Sequence, residues 1–188
     1  HIEISVLASV IATIIGGLLG VFIYEYKRLA APVMVVVNFL YTIPSISMLG
    51  LLLYVSGVGN TTAIIALVIY ALLPMVRNTF TGLNQIDQAM CEAGIALGLT
   101  RIQRLWNIEI PLAMPTIMAG IRTMLVMTIA LTGIASFIGA GGLGVAIYRG
   151  ITTNQSALTI AGSLLIALLA ITVDALFSLG ERVTRISP

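Results

Sequence analysis

Residues 29–76 read LAAPVMVVVNFLYTIPSISMLGLLLYVSGVGNTTAIIALVIYALLPMV, 48 positions without a single Asp, Glu, Lys or Arg. A helix that crosses the hydrocarbon core of a bilayer needs about 20 apolar residues. The run is too long for one crossing and right for two. The cluster Ser56-Gly-Val-Gly-Asn60 supplies the turn residues that divide it, which predicts spans over 33–55 and 58–76. Upstream, 4–24 is a further apolar run, ended by Glu25-Tyr-Lys-Arg28. Downstream, 113–138 is a fourth, broken by Gly139-Ala-Gly-Gly-Leu-Gly144, and 157–179 a fifth, ended by Glu181-Arg-Val-Thr-Arg185. Pro44 and Pro74 fall inside the expected spans and predict kinks there.

The composition agrees. Hydrophobic residues make up 59% of the 188 positions and charged residues 9%, where a soluble domain carries about 25% charged. Nine basic and seven acidic side chains cannot cover a soluble surface. That excludes a soluble enzyme, a disordered tail and a nucleic-acid-binding module, and a net charge of +2 is too small to argue for polyanions. The lone Cys91 permits neither an intrachain disulfide nor a metal cluster. The numbering opens at His1 rather than Met, so a preceding N-terminal piece is expected; no signal peptide is read from it.

Five spans put the two ends of the chain on opposite sides. Lys27, Arg28, Arg77, Arg101, Arg104, Arg182 and Arg185 fall on one side and only Arg149 on the other. Positive residues mark the cytoplasmic side. The start of the chain is then outside, the end inside, and the polar stretch 77–111 cytoplasmic. Ala12, Gly16 and Gly20, four apart, form a stripe for close helix packing, either within the chain or as a dimer seam. Arg122 and Asp174 lie inside spans that run in opposite directions, at similar depth. Ionisable groups there are costly and default to a role; an ion pair pinning the two helices is expected, with separate snorkelling as the alternative.

The stretch 77–111 reads as helical, with Ile86, Met90 and Ala93 on one face and Leu97, Leu105 and Ile108 continuing it. Such a segment packs under its own bundle or docks in the groove of another protein. Within it Glu92-Ala93-Gly94 is followed by Gly98, Ile108, Ile110 and Pro111. That pattern resembles the EAA loop of ABC importer permeases: Glu-Ala-Ala, three residues, Gly, nine residues, Ile, one residue, Leu-Pro. Gly94 stands for the second Ala and Ile110 for Leu. Thr42-Ile-Pro-Ser45, Tyr70-Ala-Leu-Leu-Pro74 with Arg77-Asn-Thr79, Pro115–Arg122 and Phe137–Gly144 extend the resemblance, over nearly the whole chain, to the osmoprotectant branch.

The resemblance implies a single all-α integral membrane permease domain over 1–188, with a methionine-importer-like fold and a cytoplasmic coupling helix. It implies import of glycine betaine, carnitine, choline or a related betaine such as ergothioneine, by alternating access. Methionine-type importers are the nearest alternative, and a stand-alone carrier or channel a more distant one. It further implies a bacterial plasma-membrane location, a second permease copy or a paralogous permease, and a separate or fused substrate-binding domain. ATP-binding subunits would dock on Glu92, Ala93, Gly94 and Gly98, with Gly98 breaking two short helices and Ile108 and Pro111 closing the loop. This chain then carries no catalytic residue, metal or cofactor, because ATP and Mg belong to the partner; no Gly-x-x-x-x-Gly-Lys-Ser/Thr occurs in it.

Gly139, Gly141 and Gly144 satisfy Gly-x-Gly-x-x-Gly, but the flanking strand and downstream acid of a dinucleotide site are missing. With Gly142 they are candidates for a gate or hinge on the outer side. Aromatic residues, at 6%, are too scattered to give a cage for a quaternary ammonium, and Trp106 is expected as a headgroup-level anchor.

Overall fold

The computed structural model describes the backbone of residues 1–184 and the side chains of residues 1–179. Arg185, counted above among the basic residues, lies outside the described residues, as do the side chains of Glu181 and Arg182. The elements are α1 (Ile2–Glu25), α2 (Lys27–Thr42), α3 (Ser45–Ser56), α4 (Asn60–Asn84), α5 (Gln88–Ala96), α6 (Arg101–Arg104), a π turn (Leu105–Glu109), α7 (Ile110–Ala135), a 3-10 turn (Ser136–Ile138), α8 (Gly144–Thr152) and α9 (Ser156–Thr184). No strand occurs among them.

Four helical stretches, Ile2–Glu25, Asn60–Asn84, Arg101–Ile138 and Ser156–Leu179, are long and apolar enough to cross a membrane. A fifth exists if α2 and α3 count as one broken span, bent by 99°. That break is sharper than the kink expected at Pro44. Proline disfavours the helical conformation in the residue before it, and Ile43 (φ −65°, ψ 127°) and Pro44 (φ −55°, ψ 136°) are both extended. Pro74 behaves differently, because α4 runs through it unbroken and continues two turns past 76, to Asn84. The non-helical part of the expected loop is correspondingly shorter. At 38 residues, Arg101–Ile138 is roughly 57 Å long at 1.5 Å per residue, nearly twice the hydrocarbon thickness. Its apolar part, α7, is the span, and 101–109 projects beyond it.

α4 is the centre of the bundle, between α1 and α7. The stripe Ala12, Gly16 and Gly20 faces α4 within the same chain. A Cβ on Gly16 would lie 2.8 Å from Met75 Cβ, and one on Gly20 would lie 2.6 Å from Thr79 Cβ. On the other side of α4 a Cβ on Gly120 of α7 would lie 2.5 Å from Asn78 Cβ, and one on Gly82 would lie 3.0 Å from Thr116 Cβ. In lipid, close backbone approach replaces the hydrophobic drive that water supplies, and these glycines permit it. α9 attaches at the edge, through Ile166 and Ala170 against Ile129. Only 11% of its apolar window is buried, against 50% for α4, which leaves most of α9 for lipid or another chain.

Gly20→Ala should therefore cost about 1–3 kcal/mol by overpacking against Thr79. Gly50→Ala in α3, where a Cβ meets nothing within 4 Å, should be near neutral or slightly stabilising. Unfolding in mixed SDS micelles measures both. Equal midpoints for Gly20→Ala and wild type would show that α1 reseats on α4 without strain.

Candidate functional site

The end of the bundle where α1 stops and α7 begins gathers the 85–109 segment and most of the described basic residues. α5 starts on Asp87, whose carboxylate accepts from the amide of Ala89 at 2.9 Å. It ends in a Schellman closure. Gly98 takes the left-handed conformation (φ +78°), its amide donates to the Ile95 carbonyl at 2.9 Å, and the Leu99 amide donates to Gly94 at 3.1 Å. Thr100 and Gln103 then open the next helix with a reciprocal capping box. The break assigned to Gly98 is thus built by its own φ.

Pro111 stands in the first turn of α7, where the span begins, and the helix runs into it unbroken from Arg101. The π turn just before it provides the reason. Proline at 111 leaves the carbonyl of Asn107 without its helical donor, and the wider turn over Leu105–Glu109 accommodates the loss. The same turn aims Glu109 inward. Its side chain is 0% exposed, and a carboxylate so placed must be paired. Arg104 Nε donates to Glu109 Oε1 at 2.7 Å, Arg101 Nη1 bonds the same oxygen, and the Cys91 thiol lies 3.8 Å from it. Arg101 also reaches α1, where Nε donates to Glu25 Oε2 at 3.0 Å and the guanidinium lies 5.5 Å from the Tyr24 ring centre. Burial pushes the Glu109 carboxyl up, but hydrogen bonds from Arg101 and Arg104 outweigh it, and its pKa lies below the usual value. Burial and the Glu109 charge push the Cys91 thiol up, which keeps it protonated and unreactive.

Glu25, Arg101, Arg104 and Glu109 were not singled out from the sequence. Glu109 occupies the unspecified position between Ile108 and Ile110 of the loop pattern. The available signal was three charges within nine residues of a chain that has only sixteen.

Above this brace α5 presents its other face. Glu92 is exposed and accepts from Gln88 Nε2 at 2.8 Å within its own helix, leaving it open to an outside donor. Ala93 beside it is exposed as well. Met90, Ile95, Leu97, Ile102 and Trp106 of the same segment are exposed too, Leu97 at 79% and Trp106 at 63%. The single apolar face read over 86–108 is therefore split. Ile86 and Leu105 pack on the bundle core, while Met90 and Leu97 point away. Gly94 is buried, and a Cβ there would lie 2.8 Å from Ile108 Cδ1 and 3.3 Å from Arg104 Cγ. The glycine that stands for alanine lets α5 lie directly on the brace.

The remaining sequence candidates lie elsewhere. Arg122 of α7 and Asp174 of α9 form a two-pronged pair, Nε to Oδ1 at 2.5 Å and Nη2 to Oδ2 at 2.7 Å. The glycine run lies at the opposite end of the bundle. There the Gly141 amide donates to Asn60 Oδ1 at 3.2 Å, and Gly139 (φ +77°) and Gly142 (φ +108°) are left-handed. Gly144 is pressed on α7, and a Cβ there would lie 2.0 Å from the Gly133 carbonyl oxygen. Among the described residues no group of three or more His, Cys, Asp or Glu is placed to hold a metal.

An apolar helical bundle that carries a rigidly braced, outward-facing helical segment at one end defines the membrane-embedded subunit of a transport system. The chain belongs to the family of binding-protein-dependent transport system inner membrane components, which matches residues 9–185. It is 44% identical over 183 residues to the glycine betaine/carnitine/choline transport system permease protein OpuCD of Bacillus subtilis (97% of this chain, 80% of that protein). It is 45% identical to the osmoprotectant import permease protein OsmW of Salmonella typhimurium (93% and 83%). It is also 40% identical to the ergothioneine transport permease/ergothioneine binding protein EgtU of Helicobacter pylori (94% and 32%). In structure it resembles the inward-facing MetNI methionine ABC transporter, with a TM-score of 0.86 at 20% identity (97% and 91%).

The brace makes two predictions. Glu109→Gln should loosen α5 and α6, visible as faster amide exchange over 88–104, at about 1–3 kcal/mol for the charge-assisted bonds lost. Unchanged exchange would mean that packing alone holds the segment. Because the Glu109 pKa is lowered in the fold, its contribution is complete above the unfolded carboxylate value of about 4.3 and is lost as pH falls through the lower folded value. Exchange over 88–104, corrected for intrinsic rates, should therefore be flat from about pH 6 to 8.

Proposed function

We propose that the chain is the permease subunit of an ATP-driven importer of a quaternary ammonium or betaine-type osmolyte: glycine betaine, carnitine, choline or a related betaine such as ergothioneine. Two ATP-binding subunits, which hold ATP and Mg, dock on Glu92–Gly98 of each of two permeases, either two copies of this chain or this chain with a paralogue. The braced end faces the cytoplasm, the start of the chain lies outside, and a substrate-binding protein or fused domain delivers solute at the outer mouth. The chain does no chemistry. Closure of the ATPase pair draws the coupling segments together, and α1 and α7 transmit that movement through Glu25–Arg101 and the continuous 101–135 helix. Gly98 and the glycines at 139, 141, 142 and 144 are the positions whose backbones tolerate bending.

One observation carries the docking reading: the exposed Glu92, together with exposed Met90, Ile95, Leu97, Ile102 and Trp106, on a segment that packing and ion pairs hold rigid. Exposed apolar side chains on a segment that also offers a carboxylate suit a protein groove lined with donors. The substrate class rests on the relatives, which resemble this chain over nearly its whole length. The likeness to the methionine transporter, at 20% identity, bears on the fold and not on the solute.

Purification of the assembled complex in mild detergent tests the reading. An ATP-binding subunit should co-purify with wild type, and Glu92→Arg should weaken its retention roughly tenfold or more, the effect of about 1.4 kcal/mol. Glycine betaine, carnitine, choline and ergothioneine are then compared as stimulants of ATPase activity in proteoliposomes. A folded wild-type chain without an ATPase partner would overturn the importer reading, and an active complex that ignores all four solutes would overturn the substrate class.

A further inference from the structure

Arg122 lies 12 residues into α7 from Ile110, and Asp174 lies five residues before the end of its apolar span at Leu179. At 1.5 Å per residue these are roughly 18 and 8 Å, inside a hydrocarbon core about 30 Å thick. Yet their side chains remain 34% and 38% exposed in the single chain. A half-open ion pair cannot face lipid tails without large cost, so the face that carries it borders water or protein. Beside the pair runs an open groove lined by Ala119, Thr123, Val126 and Met127. Met127 Sδ accepts from the Tyr41 hydroxyl at 3.6 Å, and the half-exposed Tyr41 ring stands edge-on to Tyr70, centres 6.1 Å apart. Tyr41 is the last residue but one of α2, next to the break at Ile43-Pro44. Tyr41 thus reaches the groove through its hydroxyl on Met127, one of the lining residues.

We infer that this groove faces the translocation path and is a transit site for the zwitterion itself, resting on the substrate class proposed above. The solute carboxylate replaces that of Asp174 on the Arg122 guanidinium, while the quaternary ammonium meets Asp174. An ion pair has the same two charges as a betaine, so its partners exchange when a betaine passes. Full burial would forbid that exchange; the exposed third of each side chain permits it.

The assembled complex in proteoliposomes carries the test. Thr123→Cys is treated with a water-borne trimethylammonium thiosulfonate, with the parent chain and its Cys91 as background. Modification that glycine betaine slows supports the site. No modification of a complex that still transports places the groove against lipid or protein and overturns it. Uptake is then followed in Arg122→Gln, which leaves Asp174 for the ammonium, and in the charge-exchanged Arg122→Asp/Asp174→Arg. Loss of carboxylate-bearing solutes by about tenfold in Arg122→Gln, the effect of one charge-assisted hydrogen bond, with choline uptake held within about twofold of wild type, supports the site. Equal loss of both solute types, or full recovery in the exchanged pair, reduces the pair to a structural pin and overturns the inference while the substrate class stands. A wild type that imports none of these solutes defeats the substrate class and this site together.

Discussion

The carboxylate of Glu109 is wholly buried, and the end of the molecule where α1 stops and α7 begins is arranged around that charge. Two guanidinium groups converge on one of its oxygens, and one of them bridges onward to Glu25 at the end of α1. A buried ion pair of this kind adds little net stability over a well-packed apolar core, but breaking it is costly because the partner charges are left behind. Its effect is therefore geometric. It ties three stretches distant in sequence, the end of α1, α6 and the π turn, into one arrangement. Gly94 lets α5 rest on that arrangement with no intervening side chain. A force applied to the outer face of α5 meets a rigid base and not a tether.

Where such a force goes follows from the packing. The segment 101–135 is continuous helix, so the brace beneath α5 and the third member of the α1–α4–α7 core are one rod. The seams within that core are made where glycine faces a neighbouring side chain at less than ordinary Cβ distance, and seams so tight resist sliding. The broken α2–α3 pair lacks this kind of anchoring, since a Cβ on Gly50 meets nothing within 4 Å, while α9 is seamed chiefly to α8, through Gly150 on Thr159 and Gly162 on Ile147. Rigid core and loosely held periphery are the two kinds of element that a mechanical cycle requires.

Much of this was legible in the sequence. The apolar runs give the long helices because lipid admits no unpaired backbone, and Gly98 is recognisable as a breaker because few other residues adopt its φ. What escaped reading depended on geometry that periodicity does not carry. The 99° bend at Pro44 and the smooth passage of α4 through Pro74 involve the same residue type; only the surroundings separate a break from a tolerated proline. The π turn changes the register between 104 and 110, so the face expected from regular helical spacing was split into an inward and an outward set. Glu109 was invisible for the same reason, since a regular helix would set residues five apart on different faces, and its partner Arg101 finds Glu25 at a separation of 76 residues.

The two ion clusters invite comparison, because one chain uses the same chemistry for opposite ends. Around Glu109 the acid is wholly enclosed and shared between two arginines, so no solute or water can compete for it. Between Arg122 and Asp174 roughly a third of each side chain is open. In a medium of low dielectric constant both pairs are strong, and what separates them is access. An enclosed pair fixes geometry, while an accessible pair leaves its charges open to exchange. The fold places the first beneath α5, which it holds rigid. It places the second between two apolar spans, where a charge left without a partner is costly.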